Sequence, residues 1–124
     1  EAAAQAIVTA FAANDDPEYF EKFSPDAVFV FHTTPNRLRT RAAYEQEMAA
    51  WRSEAGFRVI SCQSDDPQVL MLGDDAAVFV HDVHTTLSMD GAVHDLRERE
   101  TIAFHRTDGN WIAVHEHLSP QPQE

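Results

Sequence analysis

The 124 residues are enough for one domain and leave no room for a second of ordinary size. An apolar fraction of 44% with twelve aromatic residues supplies a packed core, which excludes wholesale disorder. Nine Lys and Arg against 21 Asp and Glu leave a formal charge of -12, so neither a nucleic-acid nor a membrane partner is expected.

Ala4, Ile7, Val8 and Phe11 recur at helical spacing and Asn14 can end the run, which predicts an amphipathic helix over Ala2 to Ala13. Asp16-Pro17-Glu18 reads as an N-cap with proline at the first helical position, opening a short helix that buries Tyr19, Phe20 and Phe23. Ser24-Pro25-Asp26 is a turn signal, and Val28 to Thr33 reads as a buried strand. Thr34 to Arg39, with Pro35 and Asn36, is expected to be a loop. Thr40 can cap a third helix over Arg41 to Ala55, with an inner stripe of Tyr44, Met48, Trp51 and Ala55, closed by Gly56.

Downstream the pattern is that of strands: Phe57 to Gln63, Gln68 to Leu72, Ala76 to Leu87, Val93 to Arg106 and Trp111 to Leu118. Asp90-Gly91 and Asp108-Gly109 mark hairpins, and Pro120 to Glu124 is expected to be a frayed tail. Helices followed by antiparallel strands predict an α+β domain with helices laid over one face of a strongly bent sheet.

The last hairpin sets which side chains share a face. A type I turn followed by a bulge at Gly109 pairs Arg106 with Asn110. One face then opposes Phe104 to Ile112, Ile102 to Val114, Glu100 to Glu116 and Glu98 to Leu118. The other carries Arg99 with His117, Thr101 with His115 and His105 with Trp111. A two-residue turn would instead set Glu100 against His117. Opposed carboxylates destabilise a strand pair, so Glu100 and Glu116 must be solvated, matched to a base such as Arg97, or partly protonated. A protonated member could act as a general acid near neutral pH.

Strand parity places His81 with Phe79 and Val83; a slip of one would put Asp82 and His84 inside instead. His32 ends an apolar strand and is expected near a rim. A metal reading would join His115 and His117 to His32 or Glu98, but the bulged register points that pair away from the acids, so no metal is expected. Ser61, Cys62 and Ser64 lack a nucleophile-elbow context, and no glycine-rich phosphate loop is present, so no cofactor is expected. A single cysteine permits no intrachain disulfide. The longest apolar runs, Ala27 to Phe31 and Ala76 to Val80, are too short for a membrane span, and Glu1 to Ala6 has no signal-peptide pattern. A cytoplasmic protein is expected.

From Pro67 onward the motifs Gly73-Asp74-Asp75-Ala76-Ala77, Asp90-Gly91, Arg99-Glu100-Thr101, His105 to Trp111 and Val114-His115-Glu116-His117-Leu118-Ser119 resemble the SnoaL-like branch of the nuclear-transport-factor-two-like superfamily. They also resemble the association (hub) domain of calcium/calmodulin-dependent protein kinase II. Upstream, Phe29 to Thr33 and the Arg41 to Trp51 helix sit where that superfamily has its first strand and third helix. The resemblance implies a cystatin-like cone, a curved antiparallel sheet wrapped around three helices from the N-terminal half. It also implies a pocket at one end and a homodimer through the convex sheet face. Three pocket positions that are basic in the kinase hub fall at Val83, Ile102 and Leu118 here, which implies a small apolar or neutral ligand. The hub's helix-three tryptophan falls at Trp51.

Glu100, Glu116 and His81 are therefore the candidate acid–base residues. His32, Trp51, Phe79, Val83, Ile102, Phe104, Val114 and Leu118 are the candidate pocket wall. The expected function is a small-molecule pocket, either a cofactor-independent isomerase, dehydratase or cyclase, or a non-catalytic binding or homo-oligomerisation domain.

Overall fold

The computed structural model describes residues 2–122. In chain order it contains α1 (Ala2–Ala12), α2 (Asp16–Glu21), β1 (Phe23–Phe31), α3 (Arg41–Ala55), β2 (Arg58–Met71), β3 (Ala76–Met89), β4 (Ala92–Thr107) and β5 (Asn110–Pro120). The strands form one sheet in the order β1-β5-β4-β3-β2. β2 to β5 pair antiparallel, and β1 joins parallel to β5, a pairing that needs the long crossover which α3 and the other strands provide. β1 and β2 are the two edge strands, β1 being bridged at Phe29 to Leu38, so the curved sheet is not a closed barrel. The fold is α+β, with three helices preceding β2 as the residue pattern predicts.

Local chemistry explains most element ends. Asn14 takes the left-handed conformation at φ 58°, and the Asn14 and Asp15 amides return to Phe11 O and Ala10 O, both at 3.1 Å, which closes α1. The cap of α2 is Asp15, one residue earlier than expected, whose Oδ1 accepts from the Glu18 amide at 3.2 Å. Asp16 is instead held by Arg52 of α3 through two hydrogen bonds of 2.5 and 2.7 Å. Thr40 and Gly56 bound α3 as expected.

Two irregularities merge what the sequence separates. Ser24 to Asp26 lies within β1, whose register with β5 jumps between Phe23↔Ala113 and Val28↔His115. β2 is continuous across the expected break. Asp66, at φ 52°, and Pro67 form a bulge opposite His81, where a proline without an N–H is tolerated on an edge strand. At the other end of the chain, β5 reaches Pro120 and the Gln121 amide donates to Arg97 O at 3.0 Å, so the expected fraying does not begin there. Gln123 and Glu124 lie outside the described residues.

The β4–β5 hairpin corrects the predicted register. Asp108 and Gly109 both have positive φ, 52° and 80°, and form a two-residue turn that pairs Thr107 with Asn110. The extra residue is not at Gly109 but at Val114, skipped between Phe104↔Ala113 and Ala103↔His115. Glu100 therefore opposes Leu118, and Glu116 opposes Ile102. Val114 and His115 both turn outward, which returns Glu116 to the concave side with Glu100. Val114 is 36% exposed and forms no part of the pocket. Trp111 pairs with Arg106 rather than His105 and packs against the core.

Along β3 the burial alternates strictly, with Ala77, Phe79, His81, Val83, Thr85 and Leu87 inside. Helices meet this face through a cluster of rings centred on Tyr44, whose centroid lies 4.6 Å from Phe29, 5.0 Å from Phe20 and 5.0 Å from Phe31. Each such pair contributes about 0.5–1.5 kcal/mol beyond the area it buries.

Asn14 also fastens α1 to β2, its Oδ1 accepting from the Val59 amide at 2.7 Å and its Nδ2 donating to Val59 O at 2.9 Å. Asn14→Ala loses both bonds and a residue suited to left-handed φ, and the expected loss is about 2–3 kcal/mol in urea unfolding.

Candidate functional site

The concave sheet face and the helices enclose a cavity of about 400 Å³. Its walls are mostly apolar, with Phe11 of α1, Trp51 of α3 and Phe57 just after α3 on one side and Phe31, Val83 and Leu87 on the sheet. Three acids, Glu98, Glu100 and Glu116, face it from β4 and β5, and each is more than nine-tenths buried. None of the cavity-lining residues is Lys or Arg.

Glu100 and Glu116 are diagonal neighbours on adjacent strands, with their carboxyl groups in hydrogen-bonding contact. Burial raises the proton affinity of both. It holds Glu116 protonated well above the usual carboxylate range, with the charge of Glu100 as a further cause. The two therefore titrate as one coupled pair, in which burial favours keeping a proton.

Each acid has a second partner. Tyr19 Oη donates to Glu116 Oε1 at 3.2 Å, and because its proton is committed there, Tyr44 Oη donates to Tyr19 Oη at 2.9 Å. Burial is the first cause that raises the pKa of both phenols, and any negative charge on Glu116 adds to it, so both stay protonated as donors. His81 Nε2 lies 2.6 Å from Glu100 Oε1, and His81 Nδ1 lies 2.5 Å from Ser64 Oγ. Burial lowers the His81 pKa, so the ring is a neutral hydrogen-bonding group. At the rim, His32 Nε2 meets Glu98 Oε2 at 2.5 Å.

Among the sequence-predicted residues, Glu100, Glu116, Trp51, Val83 and Leu118 border the cavity. His81 points inward, and Asp82 and His84 do not, but it stands behind Glu100 rather than on the wall. Ile102 and Phe104 also face inward yet are packed shut nearer the Asp108-Gly109 turn, at 0% and 6% exposure. Phe79 borders a second, shallower pocket with Val8, Ser64 and Pro67. His32 is a rim residue bonded to Glu98 and does not line the cavity. His115 and His117 stand on the convex side, where His115 Nδ1 donates to Val28 O at 2.7 Å, and so do not converge with His32 or Glu98.

Sequence reasoning missed Tyr19 and Tyr44 as site residues. Tyr19 is 97 positions from Glu116, and at helical spacing both tyrosines look like ordinary core. Glu98 could have been found, since it shares strand parity with Glu100.

The fold is similar to that of solved NTF2-like proteins. An NTF2-like protein from Rhodospirillum rubrum is 23% identical with a TM-score of 0.82, covering 97% of this chain and 96% of its own. A ketosteroid isomerase-like protein from Erwinia carotovora atroseptica is 19% identical with a TM-score of 0.81, covering 98% and 93%. The CamKII hub homology domain from Chlamydamonas reinhardtii is 23% identical with a TM-score of 0.74, covering 98% and 95%. The SnoaL-like domain family matches residues 1–123, and the chain belongs to it.

The raised affinity of Glu116 has a sign that stability measurements can read. A carboxyl whose folded pKa exceeds its unfolded value keeps its full contribution at low pH and loses stability as pH rises from about 4.3 toward the folded value. The contribution of Glu116 to stability should therefore fall as pH rises above about 4.3, and Glu116→Gln should flatten that part of the slope in urea titrations.

Proposed function

We propose that the cavity binds a small, largely apolar molecule and that Glu100 and Glu116 perform cofactor-independent acid–base chemistry on it, as an isomerase, dehydratase or cyclase. The observation that carries this is a pair of buried carboxyl groups in contact on a mostly apolar wall. Glu100, backed by His81, removes a proton. Glu116, backed by Tyr19 and Tyr44, donates one or hydrogen-bonds a developing oxyanion. Trp51, Val83 and Leu118 exclude water and orient the ligand. The mostly apolar wall supports an uncharged ligand rather than an anion. The ketosteroid isomerase-like character of the Erwinia neighbour supports proton-transfer chemistry in such a cone.

A test uses 5-nitrobenzisoxazole, which opens to a coloured cyanophenolate once a carboxylate takes its ring proton. Glu100→Gln should lower turnover by about 100-fold or more, in line with a positioned general base, and Glu116→Gln by less. Rates in both variants equal to that of the wild type would remove the acids from the chemistry.

A second reading, homo-oligomerisation, has its own observation. The convex face carries half-buried Val78, paired with Ala103, and half-buried Val80, together with exposed Val114, apolar residues suited to a second copy. The hub homology domain among the neighbours supports assembly through this fold. Light scattering should give twice the chain mass, and Val80→Arg should halve it. No described helix is long and apolar enough to cross a membrane. A cytoplasmic location is part of the proposal, supported by the free thiol of Cys62.

A further inference from the structure

We propose that the cavity selects a ligand whose apolar body carries one amine, held as an ammonium group against the three buried acids. The inference deepens the small-molecule reading of the same cavity and rests on it. The apolar wall alone suits an uncharged molecule, and the acids set into that wall add a preference for a cation.

The acids form one row. Glu98 and Glu100 occupy successive inward positions of β4, about 7 Å apart, and Glu116 stands opposite Ile102, the next inward position. All three are buried, and no Lys or Arg borders the cavity. Glu98 is held from the rim, with His32 Nε2 2.5 Å from its Oε2. Its Oε1 has no hydrogen-bond partner among the described residues. No fully buried side-chain oxygen there lacks one, so Oε1 is open where Glu98 borders the cavity.

A bare carboxyl oxygen calls for a donor from the ligand. An ammonium group brings three N–H donors and a positive charge, and its bonds to carboxylates are among the strong ones. An alcohol also donates, but only a cation offsets negative charge in a row of acids with no Lys or Arg among them.

The rings of the cavity support the same ligand. Tyr44, Tyr19, Phe11, Phe57 and Trp51 all border it and form a closed circuit, with successive centroids 5.9, 5.4, 6.3, 5.9 and 6.2 Å apart. Tyr19 joins that circuit to the acids, its Oη lying 3.2 Å from Glu116 Oε1. Aromatic rings grouped in this way are the usual surroundings of a bound alkylammonium group, whose charge their π electrons attract. At longer range, the chain's formal charge of -12 draws cations in and turns anions away.

The test titrates the full ¹⁵N-labelled chain with tryptamine, tryptophol and indoleacetate, which share an indole body and differ at the polar end, and follows the amide signals by nuclear magnetic resonance. Tryptamine should bind about tenfold or more tightly than tryptophol, with shifts at Glu98, Glu100 and Trp51, and indoleacetate should bind weakest. Glu98→Gln keeps the size of the side chain and removes its charge. It should lose about tenfold in affinity for tryptamine while its affinity for tryptophol holds. Equal binding of the amine and the alcohol, a preference for the acid, or no binding of any of the three at millimolar concentration would overturn the proposal, whether or not Glu98→Gln folds. Unchanged tryptamine affinity in a folded Glu98→Gln would overturn it too. The acid–base reading is decided apart from these titrations, by benzisoxazole turnover in Glu100→Gln and Glu116→Gln, so neither failure is mistaken for the other.

Discussion

Two carboxyl groups taken out of water side by side are the constraint around which the rest of the molecule is arranged. An isolated buried charge costs several kcal/mol, and two adjacent like charges cost more. The protein meets this by favouring a proton within the pair and by placing hydrogen-bond partners around it, with Tyr19 on Glu116, Tyr44 behind Tyr19, and His81 on Glu100. Among the described residues, no fully buried side-chain nitrogen or oxygen is left without a partner. The network is thus satisfied rather than merely tolerated, and that is the condition under which buried polar clusters hold a defined geometry.

The facing of those acids depends on backbone irregularity. A two-residue turn at Asp108-Gly109 continued by a regular ladder would send Glu116 to the convex side and bring His115 in. The extra residue at Val114 reverses that parity once, just before Glu116. On β2, the Asp66-Pro67 bulge lies opposite His81, between the pairs that flank it. Two of the sheet's bulges therefore lie beside the residues of the candidate site.

The neighbours share the cone and range from an isomerase-like protein to a hub homology domain. A common fold with different occupants of the cavity is expected where the sheet and helices supply shape and a few inward side chains supply chemistry. Here those side chains are acids and phenols, with no Lys or Arg on the wall, and burial raises the proton affinity of otherwise ordinary carboxyls.

Much of this is legible in the residues alone. The Arg41–Ala55 helix with its Thr40 and Gly56 ends, the strict alternation of β3 and both Asp-Gly turns follow from local propensity and period. So does the shared face of Glu100 and Ile102, because parity within one strand needs no partner. The sharing of a face by Glu100 and Glu116 also follows from the residue pattern, but by way of a bulge at Gly109 where the chain uses Val114. Tertiary structure alone decided the bulge position, the contact between Tyr19 and Glu116, and the place of His81 between Ser64 and Glu100. Those depend on how strands pair and how helices settle over the sheet. Pairing energies are summed over whole ladders and packing over whole layers, so no short run of sequence carries them.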